Sequence, residues 1–185
     1  MLVKLKDIAQ IQFGYYAQPN NKGIIPYLQA KQFNELGQLV AEFDTFLKED
    51  DKTNPNLLEE GDVLFVSKGF RVFAAEYQKQ WGKVIPSSIF FIIKPDVKKV
   101  LPNFLVTILN LPKSLSYFQQ TGAGSSIPSI RKGDLADFTF NLISLEQQHQ
   151  VVALKELHIK DIELTQKLIK QKQTLFQAVL AKTIN

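Results

Sequence analysis

The chain contains no cysteine, and that absence removes disulfide staples, thiolate metal sites and a cysteine nucleophile together. Histidine is almost as scarce. The two present, His149 and His158, stand nine residues apart on what reads as one helix and offer no His-Glu-x-x-His pairing, so neither a metal nor a cofactor is expected. Long apolar runs are missing too. The strongest, Ile89 to Ile93, is far too short to span a bilayer. Charges at Lys4, Lys6 and Asp7 sit where a signal peptide would need its apolar stretch. The expectation is a cytoplasmic protein with no membrane contact. One Met and one Trp against 14 Phe point to a stiff, aromatic core. A length of 185 residues with 45% hydrophobic content supplies one ordinary domain with a helical extension.

Charge is modest in sum and uneven in distribution. The net value is +4, yet nine acidic residues and two lysines lie between Glu35 and Asp62. Between Val66 and Gly133 the balance reverses, with ten basic residues against Glu76 and Asp96. This separation predicts one face suited to a polyanion and another turned away from it. The plainer alternative is two ordinary solvated faces.

The first two-thirds of the chain is a series of short apolar runs. Ile24 to Leu28, Asp62 to Val66 and Ser88 to Ile93 read as strands, punctuated by Asn20 to Gly23, Glu60-Gly61-Asp62 and Lys94-Pro95-Asp96. A helix is predicted from Pro102 to Asn110, and Pro112 opens another that runs to about Gln120. A Gly/Ser turn, Thr121 to Ser126, leads to a short strand around Phe138 to Asn141. The mixture reads as α+β. At Ser144 the pattern changes. Ser144 and Gln147 form a capping box, and no Gly or Pro follows between Leu145 and Asn185. Leu157, Leu164, Leu168 and Leu175 run beside Ile162, Ile169, Phe176 and Val179 as one broad apolar face. The expected helix is roughly 35 residues long. Its uncovered part needs a second helix, most simply from a second copy through coiled-coil packing.

Catalytic patterns are missing. Gly122-Ala123-Gly124-Ser125-Ser126 follows a helix and lacks the Gly-Lys-Ser/Thr ending of a phosphate-binding loop. Glu59, Glu60 and Asp62 cluster in a turn, and the strand after them ends Phe65-Val66-Ser67-Lys68 without the carboxylate that a metal-dependent nuclease places beside its lysine. Asn54-Pro55-Asn56-Leu57 lacks the second proline and the aromatic residue of an amino-methyltransferase loop. Two post-strand loops carry suitable chemistry for bases. Ser67-Lys68-Gly69-Phe70-Arg71 offers a hydroxyl and two cations, and Gln29-Ala30-Lys31-Gln32 offers two amides.

The order of these pieces resembles the specificity subunit of type I restriction–modification systems, in a form with a single target-recognition domain. The resemblance is carried by Gly23 to Asn34, by Leu58 to Gly69 with its Gly-Asp turn and Ser-x-Gly loop, by Ser125 to Leu135, and by Glu146 to Val152 opening the long helix. It implies a mixed-sheet target-recognition domain over residues 1–143, followed by a dimerisation and spacer helix over 144–185. It also implies a non-catalytic role. Two copies, paired through the helix, would read a bipartite, palindromic site on double-stranded DNA and scaffold methyltransferase and restriction subunits, which hold the catalysis and its cofactors. The residues expected at DNA are Gln29, Lys31, Gln32, Ser67, Lys68, Gly69, Arg71, Lys79, Ser125, Ser126, Arg131 and Lys132. The alternative is an assembly or regulatory module of the same fold that does not read DNA.

Overall fold

The computed structural model describes residues 1–19, 23–34, 37–122 and 126–184. In chain order its strands are β1 (Leu2–Lys4), β2 (Ala9–Phe13), β3 (Ile25–Leu28), β4 (Phe46–Leu47), β5 (Val63–Val66), β6 (Ala74–Glu76), β7 (Ile85–Pro86), β8 (Phe90–Pro95) and β9 (Thr139–Asn141). Its helices are α1 (Pro102–Leu109), α2 (Pro112–Thr121), α3 (Lys132–Ala136) and α4 (Leu145–Ile184). Residues Met1–Gln148 form one compact unit and the rest of α4 belongs to a second. The architecture is α+β with mixed sheets and one long C-terminal helix.

A wholly buried four-residue strand takes an inner position. β5 reads Val-Leu-Phe-Val and all four residues are buried. It lies between β8 and β6 in a four-stranded antiparallel sheet of order β2-β8-β5-β6. β8 buries Phe90 to Ile93 and runs on through Lys94 and Pro95, two residues beyond the expected stop. That extension follows from β2, whose Ala9 and Gln10 pair with Pro95 and Lys94. Proline is tolerated there because it closes the strand. β2 stops just before Gly14, where a Cβ would sit 2.1 Å from the Ser87 carbonyl oxygen, so no side chain fits. A second sheet, β4-β3-β7, mixes one antiparallel and one parallel pairing. A ribbon of β1 and β9 ties the chain start to the segment before α4.

Phenylalanine fills the interior, as the composition predicts. Phe33, Phe73 and Phe90 form one group with ring centroids 5.3 to 6.4 Å apart, and Trp81 meets Phe33 at 5.7 Å. Phe118 of α2 packs on Phe65 and on Phe138, each at 4.8 Å. Tilted and edge-on pairs of this kind add to area burial.

α4 starts as its sequence requires. Ser144 N–H donates to Gln147 Oε1 at 3.2 Å and Gln147 N–H to Ser144 Oγ at 3.3 Å. One turn on, Gln148 is fully buried. Its Oε1 accepts from Leu101 N–H at 2.8 Å, and its Nε2 donates to the carbonyls of Lys99 and Ile143, both at 2.9 Å. The helix is 40 residues long, about 60 Å at 1.5 Å per residue. Leu157, Ile162, Leu164, Leu168, Ile169, Leu175, Phe176 and Val179 are all exposed.

Candidate functional site

Three segments predicted as base-facing loops meet at one place. The first follows β3 as a short 3-10 turn, Ala30–Gln32. The second follows β5. The third, from Ser126 to Lys132, enters α3. Arg71 Nη2 donates to the Ala30 carbonyl and braces the second loop against the first. The second and third are stitched by a short antiparallel bridge pairing Lys68 with Ser129. Gly69 N–H donates to Pro128 O at 2.9 Å, and Ile130 N–H to Ser67 O at 2.8 Å. Loops separated by some sixty residues in sequence therefore share one hydrogen-bonded base. Gly69 turns the second loop with φ +109°, a conformation that favours glycine, and no heavy atom lies within 4 Å of where its Cβ would be.

The expected site residues divide once placed in space. Gln32, 1% exposed, turns inward, its Oε1 accepting from Gln29 N–H at 2.7 Å. Ser67, 2% exposed, donates from Oγ to Ile89 O at 2.8 Å. Both set the shape of their loops and offer no surface to a ligand, which corrects the base-facing role expected of them. Arg71 is half-buried, its guanidinium 5.2 Å from the Phe73 ring centre and committed to the brace. Gln29 is half-buried, while Lys68, Ser126, Arg131 and Lys132 are exposed at the joined loops. Ser125 lies outside the described residues. Lys132 Nζ sits 5.5 Å from the Phe13 ring centre, an interaction local sequence gives no means of expecting. Phe70, at the tip of the second loop, is 80% exposed. Its only sequence signal was an aromatic residue directly after a glycine in a polar loop.

The predicted charge separation is kept only in part on folding, because the acidic segment pairs with three lysines of the basic one and with Lys31. Lys31 meets Asp44 and Lys79 meets Glu60, each at 2.5 Å, and Lys83 meets Glu49 at 2.7 Å. Lys94 bridges Glu59 at 2.8 Å and Asp62 at 3.0 Å. Burial pulls the Lys94 ammonium down, but bonds to Glu59 and Asp62 outweigh it and leave its pKa raised. The Glu60 bond raises Lys79, and the Lys31 bond lowers Asp44. Exposed pairs of this kind are individually weak, yet each carries a counter-charge that a bare cation lacks. Lys31 and Lys79 are thus neutralised by neighbours. Among the described residues the side-chain cations of Lys68, Arg131 and Lys132 make no salt bridge, although the Arg131 backbone N–H donates to Asp134 Oδ2 at 3.1 Å, and all three belong to the stitched loops.

No group of three or more His, Asp or Glu among the described residues is arranged to hold a metal ion. A cleft of about 500 Å³ beside β2 contains Glu59, Asp62 and Lys94, whose charges are spent on one another. No helix is long and apolar enough to cross a membrane.

Comparison with known proteins bears on this arrangement. The profile of the type I restriction modification DNA specificity domain matches residues 1–172. A solved chain described for complex assembly and conformational transition of the type I R-M system is 19% identical, with TM-score 0.67 over 99% of this chain and 49% of that one. The HsdS subunit from Thermoanaerobacter tengcongensis is 17% identical, with TM-score 0.69 over 94% of this chain and 45% of its own. The type I restriction-modification S subunit from M. genitalium is 12% identical, with TM-score 0.55 over 88% and 40%. The chain spans about half the length of these solved chains. No match was found among curated proteins.

Proposed function

The chain belongs to the type I restriction modification DNA specificity domain family, and on that premise we propose that it reads double-stranded DNA through the stitched loops and pairs with a second copy through α4. Specificity domains are the non-catalytic, recognising part of such systems. The observation that carries the reading is the convergence of two post-strand loops and the segment between α2 and α3 around Lys68, Arg131 and Lys132, whose side-chain cations make no salt bridge among the described residues. Unpaired cations hold phosphates and fix register, while the loop tips between them reach base edges. Gln29, Lys68, Ser126, Arg131 and Lys132 are the contacts we assign to that surface.

In this reading residues 1–143 form the recognition domain and 144–185 the dimerisation and spacer helix. The exposed row from Leu157 to Val179 is the apolar face that a second copy covers. Two-fold symmetry of the pair implies a bipartite, palindromic site with an unread spacer. Methyltransferase and restriction subunits would dock on the pair in the cytoplasm.

Light scattering on the full chain beside one truncated near Val152 tests the pairing, with a dimer and a monomer expected respectively. Binding to randomised duplexes at two salt concentrations tests the reading. Steep salt dependence with enrichment of a two-part site supports it. A full-length monomer removes the homodimer, and binding indifferent to salt and sequence leaves an assembly module of the same fold.

A further inference from the structure

Phe70 is the most exposed phenylalanine of the chain, with 80% of its surface open, and among the described residues it has no ring or cation partner. The other two exposed phenylalanines have contexts of their own. Phe13 packs on Phe91 and lies under Lys132, and Phe176 belongs to the apolar row of α4. A large apolar side chain left in water is informative when it borders a shaped apolar surface. Phe70 does so. It forms one wall of a cleft of about 220 Å³ whose other walls include Val72, Phe118, Pro128 and Ile130. The bond from Gly69 N–H to Pro128 O and that from Ile130 N–H to Ser67 O hold these walls together. Lys68 and Arg131, both exposed, flank the same bridge.

An apolar slot among unpaired cations suits an apolar group carried on a polyanion. In the major groove of B-DNA that group is the thymine 5-methyl, the one apolar feature on the base edges. We propose that the Phe70 cleft is a thymine-methyl slot, in which the Phe70 ring and the Pro128–Ile130 wall enclose the methyl group while Lys68 and Arg131 hold neighbouring phosphates. The inference rests on the DNA-reading function above and adds a residue-level specificity determinant to it. The slot is larger than one methyl group, which leaves room for the base edge that bears it.

The test begins with the duplex that the full-length wild-type chain selects from a randomised pool. Thymidines of that duplex are replaced one at a time by deoxyuridine, and affinities are measured for wild type, Phe70→Leu and Phe70→Ser. At one position in each half-site the loss of the methyl should weaken wild-type binding by about fourfold. Phe70→Ser should show no such penalty, and Phe70→Leu should keep part of it. Thermal unfolding should be unchanged in both variants because the ring is exposed. Selective binding without a uracil penalty, or with one that persists in Phe70→Ser, overturns the slot and leaves DNA reading intact. A wild-type chain that selects no duplex overturns the DNA-reading proposal and the slot together.

Discussion

Neutralising Lys68, Arg131 and Lys132 is the perturbation that most directly separates the cations proposed to hold DNA from those engaged elsewhere. Each copy presents these three side chains without a carboxylate partner among the described residues, so a symmetric pair presents twice that number. Each phosphate contact on B-DNA contributes about −0.9 to the slope of log affinity against log salt. Full engagement in the pair then gives a slope near −5, or about a thousandfold loss between 50 and 200 mM salt. Changing all three to Gln should remove that dependence, and each single change should reduce the slope by about 2 because two copies lose the contact. A second set, Lys31→Gln, Lys79→Gln and Lys83→Gln, serves as the control. Those lysines are paired with Asp44, Glu60 and Glu49, so a phosphate approaching them meets a carboxylate as well. The slope should stay within about 1 of wild type. Fluorescence anisotropy on one labelled duplex over a salt series measures all of this. Equal flattening by the two sets would refute the reasoning from unpaired charge.

Two further outcomes follow from the fold. Gln148→Leu should lower stability by about 3–6 kcal/mol, since it orphans the Leu101 N–H and the carbonyls of Lys99 and Ile143 at a fully buried point. Urea midpoints would measure it, and a loss under about 1 kcal/mol would show that water replaces the amide. Bonds from Lys6 and Lys4 hold the Asp137 carboxyl down at about 2. A depressed carboxyl stabilises the fold above its unfolded value and loses that contribution as pH falls. Acid sensitivity between the ordinary carboxylate range and pH 2 should therefore shrink in Asp137→Asn, as thermal unfolding across that window would record.

Elements that declare themselves locally were legible in the sequence. Ser144 and Gln147 announced the start of α4, Pro102 and Pro112 the first turns of α1 and α2, and the unbroken apolar run of β5 a strand. β1 and β2 were not anticipated, because each is short, mostly exposed and defined by its partner: β9 for one, β8 for the other. The site divided in the same way. Loop position after a strand was readable, and so was the chemistry of Lys68 and Arg131. The inward turn of Gln32 and Ser67 was not, since each is fixed by an acceptor or donor that only the fold brings near. The charge segregation overstated the free cations for a related reason. Counting along the chain cannot register that Glu49, Glu59 and Glu60 fold back onto Lys83, Lys94 and Lys79.

The bridge between Lys68 and Ser129 bears on how this chain could acquire a new target. A crossover that imported one loop from a relative would join a foreign backbone to a resident one, and the two hydrogen bonds between Ser67–Gly69 and Pro128–Ile130 would hold only where both backbones follow the same path. Change by single residues at the tips leaves that seam untouched. Change by exchange must carry both sides of it, so under the proposed reading the smallest inheritable block of specificity runs from before Ser67 to beyond Ile130.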